Sequence, residues 1–396
     1  MTDHSSGKEQ PWYSGISKYQ WLVLLIASLG WVFDIFEGQI FVASMRDAMP
    51  YLLGVSSADD PSVSAWSNYS FASFLLGGAF GGVLFGIMSD RIGRSKTLIF
   101  TILFYSIFTS LTALATEAWH MVILRFLVAM GVGGEWAVAS AMVAEVMPKR
   151  SRPVMSSIFH ASSVFGTLLA AAVGYFILAD KPWGENTWKL GFLIGVLPAL
   201  LTLWIRWKLH EPERWQKAKE AEAEDESQAT GRLSELFTPE NARGTLLGVA
   251  LATIGLVTFW GCHIYGKNAL MRAAEAEALR TENFTAAAPV KQKDENETAF
   301  KARKDQWKQE RKSALDKHES SIKKAEMRSM TLNTIGGGLG LVLFGAISNR
   351  LGRRGAFMLY HLGAFVMALL MFMVLIKYRL FCYIFFFFNI TTKCDI

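Results

Sequence analysis

Four ionisable side chains stand inside apolar runs of this 396-residue chain: Asp34 and Glu37 in the first, Arg125 and Glu135 in the fourth. A charge surrounded by hydrocarbon is costly unless it is paired, hydrogen-bonded or open to water, so each is a candidate for moving protons or holding an ion. Asp34 and Glu37 are three residues apart, which sets both on one face of a helix. Two carboxylates so close in a dry setting leave one of them holding a proton near neutral pH. Arg125 has the length to reach the depth of Asp34. The spacing therefore predicts an Asp34–Arg125 pair that opens when Asp34 takes up a proton, freeing Arg125 for an anionic substrate. The alternative is a fixed ion pair bracing two helices, with Glu37 solvated nearer the mouth. Glu135 follows a glycine cluster in mid-run and is expected to contact a neighbouring helix or line the substrate path. His160, Ser163, Trp260, His263 and Tyr265 are the other groups placed to line a central cavity.

The elements that position these residues are long and apolar. The chain is 52% hydrophobic and only 19% charged, and the two stretches 208–244 and 269–328 hold 40 of its 74 charged side chains. So little charge over the rest of the chain excludes a water-soluble fold. Apolar windows long enough to cross a bilayer fall at 20–44, 65–89, 96–116, 119–144, 153–179, 188–207, 245–267, 328–349 and 355–376. The expected architecture is an all-α polytopic membrane protein with about nine transmembrane helices. Six form an N-terminal bundle over 20–207, and 245–376 forms a second, incomplete group.

Residues 1–19 are polar, 208–244 form a charged linker, and 269–328 form a charged insertion. In that insertion Phe300, Trp307, Ala314 and Ile322 make a helical stripe, so a projecting helical hairpin is expected. The net charge of +6 comes from short basic clusters between apolar runs, which orient a membrane protein rather than bind nucleic acid. Arg91, Arg94 and Lys96, then Lys149, Arg150 and Arg152, then Arg350, Arg353 and Arg354 mark alternate loops as cytoplasmic, together with the N-terminus. The first run lacks a cleavage site and reads as an uncleaved span of the cell (inner) membrane.

A motif occurs twice. Gly86–Lys96 carries Gly86, Asp90, Arg91, Gly93 and Arg94; 345–354 carries Gly345, Asn349, Arg350, Gly352 and Arg353. Both copies sit between two spans, and internal repeats of this kind build secondary transporters. The first glycine permits a close crossing, the second a tight turn, and the arginines hold the turn at the headgroups.

Through this loop the chain resembles the major facilitator superfamily, and within it the proton-coupled symporters of organic acids (aromatic-acid, sialic-acid and metabolite types), with sugar porters next. Phe33-Asp34-Ile35-Phe36-Glu37 is similar to their first-span acidic element, although Ile35 and Glu37 depart from it. Arg125 to Trp136 with Glu145 and Pro148, and Glu211-Pro212-Glu213-Arg214-Trp215 after the sixth span, carry the rest. The resemblance implies a two-half helical bundle that couples a proton, through Asp34, Glu37 and Arg125, to uptake of a small organic anion. It also implies a gating role for Asp90 against a helix of the second half.

A complete member has six spans in each half, and the tail at 377–396, with its Phe385–Phe388 run, does not supply the missing ones. A truncated chain is the expectation, with an inactive carrier as one of the alternatives. The competing functions are a sugar carrier and a non-transporting membrane sensor whose insertion binds a partner. The sequence has no nucleophile–base pair, no zinc helix motif and no phosphate loop, and its three cysteines form no CxxC pair. Neither an enzyme nor a metal or cofactor site is expected. The partners are protons, a small organic anion and the lipid bilayer.

Overall fold

The computed structural model describes residues 12–370, except 56, 57, 59, 196, 198–203, 205–207, 225–230, 293 and 294. Side chains at 153, 251–252, 255–270, 342, 345–346, 348–349, 353 and 367–370 lie outside the description. Among the described residues every regular element is a helix. In hydrocarbon a backbone must satisfy its own polar groups, and a continuous helix does so within one segment.

Helix α1 (Lys18–Leu53) opens on a reciprocal cap between Ser17 and Gln20 and closes on Gly54 in the left-handed region. At 36 residues it runs well past the thickness of a bilayer core. Its last turns, carrying Arg46, Asp47 and Tyr51, form part of the end opposite the Gly86–Lys96 loop. Helix α2 (Pro61–Ile92) starts at the Asp60 cap with proline in its first turn. Helix α3 (Arg94–Thr112) and helix α4 (Ala118–Val146) follow.

The fifth predicted span is broken. Helix α5 (Arg152–Ala161) meets helix α6 (Ser163–Val173) at Ser162, whose hydroxyl donates to the carbonyl of Phe159 at 2.7 Å. Such back-bonding competes with the helical ladder and bends the chain. A wider turn, Gly174–Leu178, ends this element, and helix α7 (Thr187–Ile194) begins the sixth window. Five helices among the described residues, 18–53, 61–92, 94–112, 118–146 and 154–178, are long and apolar enough to cross a membrane.

The linker region holds helix α8 (Glu213–Glu224). Helix α9 (Ala242–Thr281) contains the window 245–267 and continues into the charged insertion. Helix α10 (Glu297–Asp316) lies within that insertion, and helix α11 (Glu319–Leu370) contains the window 328–349 and most of 355–376. Gly352 interrupts α11 at φ +72°, and Gly93 joins α2 to α3 at φ +111°. The same glycine of both motif copies thus takes a backbone angle that favours residues without a side chain.

Helices α2 and α4 meet backbone to backbone. A methyl group on Gly77 or Gly81 would strike the carbonyl oxygens of Phe126 or Met130, and one on Gly133 would strike Gly78. Small residues at such seams are how helices pack closely in lipid. Leu76, Phe80, Leu84, Ile107, Phe165 and Phe176 are exposed on the outside of the bundle. A contiguous apolar exterior of this kind is a lipid-facing surface. Inside, one apolar layer contains Val23, Ile26, Ile102, Met142 and Phe159, and a second contains Phe36, Ile40, Phe41, Met49 and Phe192.

Candidate functional site

The charged residues of the sequence lie in the middle of the bundle. Asp34, Glu37 and Glu135 are each 1% exposed and Arg125 is 0% exposed. They form two groups.

In the first group Arg125 donates from one terminal nitrogen to Glu37 Oε1 at 2.5 Å and from the other to Thr112 Oγ1 at 2.7 Å. The Thr109 hydroxyl donates to the same Glu37 oxygen at 3.0 Å. The rings of Phe41 and Phe192 stand 5.1 and 5.0 Å from the guanidinium carbon, where aromatic faces attract a cation. Arg125 Nε and Glu37 Oε2 have no hydrogen-bond partner among the described residues.

The predicted Asp34–Arg125 pair is therefore corrected to Glu37–Arg125. Helices α1 and α4, the first and fourth spans, pack side by side and run in opposite directions, so the later α1 carboxylate meets the earlier α4 residue. Three residues of helix separate Asp34 from Glu37 by about 4.5 Å of rise and about 60° of rotation, enough to send them to different partners. Glu37 is also buried rather than solvated.

In the second group Asp34 faces Glu135 of α4 and the Tyr105 hydroxyl of α3. The Glu135 carboxylate also lies against Gly30, one turn before Asp34. No oxygen of either carboxylate, nor the Tyr105 hydroxyl, is aligned for a hydrogen bond among the described residues. Two acids thus share an interior space without a counter-charge of their own among the described residues.

Other predicted residues lie elsewhere. His160 donates to the carbonyl of Ser156 at 2.8 Å and packs edge-on against Phe159 and Trp136. Ser163 is buried at the start of α6. Trp260, His263 and Tyr265 fall on α9, and Gly345 and Arg353 on α11; their side chains lie outside the described residues. Arg350 and Gly352 are exposed.

The first motif copy is clamped at its own end of the bundle. Arg94 pairs with Asp90 and with Glu145, both at 2.7 Å. The Glu211 carboxylate accepts the backbone N–H of Arg94 at 2.6 Å and of Ser95 at 3.2 Å, capping α3 where the helix dipole favours a negative charge. Trp215 donates from its indole to the carbonyl of Asp90 at 2.8 Å. Arg91 is exposed. The family element at 211–215 and the loop at 86–96 are thus one structure.

Sequence reasoning missed Tyr105, Thr109 and Thr112. Its signal was present: Thr97, Thr101, Tyr105, Thr109 and Thr112 recur at three or four residues along α3, and all five are buried.

Residues 21–248 match the family described as sugar (and other) transporter. The chain is 31% identical to the sialic acid transporter NanX of Escherichia coli (strain K12) over 212 residues, which cover 52% of this chain and 48% of that one. It is 27% identical to the gentisate transporter of Corynebacterium glutamicum, covering 62% of this chain and 53% of that protein. The chain thus spans about half the length of these curated relatives. Its fold is similar to the partially occluded, inward-open structure of the xylose transporter XylE from E. coli, with a TM-score of 0.62 and 18% identity over 95% of this chain and 82% of that one. A multi-pass bundle with acids and an arginine in its interior, matched by the family over more than half its length, is a transporter scaffold rather than an enzyme. The chain belongs to the sugar (and other) transporter family of the major facilitator superfamily.

Proposed function

We propose that the protein is a proton-coupled carrier of small organic carboxylates, oriented with the Gly86–Lys96 loop in the cytoplasm. The observation that carries this reading is the Asp34–Glu135 pair. Two buried carboxylates in contact range, with no cation of their own among the described residues, are tolerated in an apolar interior when a proton is held between them. Loss of that proton adds a second negative charge beside the Glu37–Arg125 pair, and the doubly charged acids then compete for the guanidinium. Proton state and arginine availability are linked in this way.

Arg125 supports the carboxylate half of the reading. Its Nε is a buried donor without a partner among the described residues, and two aromatic rings flank the guanidinium. A planar carboxylate is the natural complement of such a fork. The relatives named for sialic acid and gentisate point to the same substrate class.

The test is substrate-driven proton movement in everted membrane vesicles containing the full chain, with gentisate, sialic acid and xylose as probes. Gentisate or sialic acid should move protons with the substrate, and xylose should not. Proton movement with xylose alone would replace this reading with the sugar-carrier one. No proton movement with any of the three would remove the coupling claim.

A further inference from the structure

At the end of the bundle opposite the Gly86–Lys96 loop, helix α10 faces the ends of α1 and α7 across a partly open cavity of about 820 Å³. The roof is one face of α10. Lys304, Trp307, Lys308, Arg311 and Lys312 recur at three and four residues and all line the space. Trp307, Lys308 and Arg311 are half-buried on this face, while Lys304 and Lys312 stand exposed at its rim. On the opposite wall stand Arg46, Tyr51 and Trp188, with the last two rings 5.9 Å apart.

The cations divide into two sets. Those on the bundle and on α11 hold the insertion in place: Arg46 pairs with Glu275, Lys181 with Glu319, and Lys323 with Asp47 at 3.2 Å and Glu326 at 3.3 Å. Arg311 lies 3.7 Å from Glu275. Lys304, Lys308 and Lys312 make no ion pair within 4.0 Å among the described residues, although Lys308 acts at longer range on Asp60, and Glu185 and Asp316 are the lining acids outside those pairs. The cavity therefore presents surplus positive charge next to aromatic rings, walled on several sides by protein. Such a setting concentrates anions ahead of a binding site.

We propose that this cavity is an outer capture site for an aromatic carboxylate, its carboxylate on Lys308 and Lys312 and its ring against Trp307 and Tyr51. The proposal rests on the organic-acid reading above and specifies where such a substrate is first held. Lysine supplies the charge without the fixed geometry of arginine, which suits a site that must release its ligand inward.

The test is titration of the purified full chain with gentisate, read by tryptophan fluorescence. Gentisate should quench saturably, and Trp307→Phe should remove that component. The double variant K308Q/K312Q should weaken it by on the order of tenfold, since each lost contact is a charge-assisted one. Xylose should give no quenching. Asp34→Asn alters only the interior and should leave the outer response intact, so failure of proton coupling and failure of this site are read separately. An unchanged titration in K308Q/K312Q, or no quenching through Trp307, overturns the proposal. Melting temperatures equal to the parent's exclude misfolding of the variants as the cause of a loss.

Discussion

Arg125 and Glu37 hold each other across the α4–α1 contact at 2.5 Å, and both are excluded from solvent. Removing one member leaves the other as an uncompensated buried charge. Arg125→Ala should destabilise the bundle by about 3–5 kcal/mol, whereas replacing both, as Glu37→Gln with Arg125→Gln, should cost clearly less. Thermal unfolding in detergent measures both. A double variant no more stable than Arg125→Ala would mean that the pair is not the dominant interaction at this site.

The acids at the Asp34–Glu135 contact should separate coupling from binding. Asp34→Asn and Glu135→Gln each remove one ionisable member while keeping its shape. Net accumulation of substrate driven by a pH gradient should be lost in both, while substrate exchange across the membrane continues, because exchange needs no deprotonation. Glu135→Gln that still accumulates substrate would assign the proton to Asp34 alone.

At the motif end Glu211 is the element to probe. Glu211→Ala leaves the N–H groups of Arg94 and Ser95 without their acceptor and should weaken the first turn of α3 by about 0.5–2 kcal/mol. The loop at 86–96 would loosen with it. Faster labelling of a cysteine introduced at Lys96 is the expected readout, and an unchanged rate would show that the Arg94–Glu145 pair holds the turn unaided.

The insertion should release in acid. The Lys324 ammonium and then the Ser320 hydroxyl hold the Asp180 carboxyl below the usual carboxylate value, and Lys317 and then His318 do the same for Glu282. A carboxylate with a lowered native value contributes stability that is complete above its unfolded value, about 4 for these types. That contribution disappears as pH falls through the native value. Asp180 is exposed and Glu282 half-buried at the surface, so each contribution is small and screened by salt. Proteolysis within 282–296 should accelerate below about pH 4 and more so at high salt. A rate flat from pH 6 to 3 would show that apolar packing alone retains the hairpin.

The fold class was legible because apolar windows and paired glycine–arginine turns are local signals, and Gly93 with Gly352 shows why the second motif position needs glycine. The partner of Arg125 was not. Both Asp34 and Glu37 share a broad face of α1, and the choice between them depends on how α1 and α4 are rotated and staggered, which no single helix encodes. The break at Ser162 escaped for a similar reason: a hydroxyl in an apolar run reads as a tolerated polar residue until its acceptor is known. The role of Glu211 was hidden by distance, since it meets a loop more than a hundred residues earlier in the chain.

The glycine seam between α2 and α4 has a mechanical consequence. Where carbonyls of one helix touch the α-carbons of the next, sliding by even one residue would drive backbone into backbone. These two helices must travel as a single plank. The contact of α6 with α11 is of another kind, made through the Met327 side chain against Gly174 and Val164 against Gly338. Thioether and branched aliphatic groups can shift between rotamers and keep contact while doing so. Any rocking that exposes the interior acids to one side and then the other has its lubricated joint there.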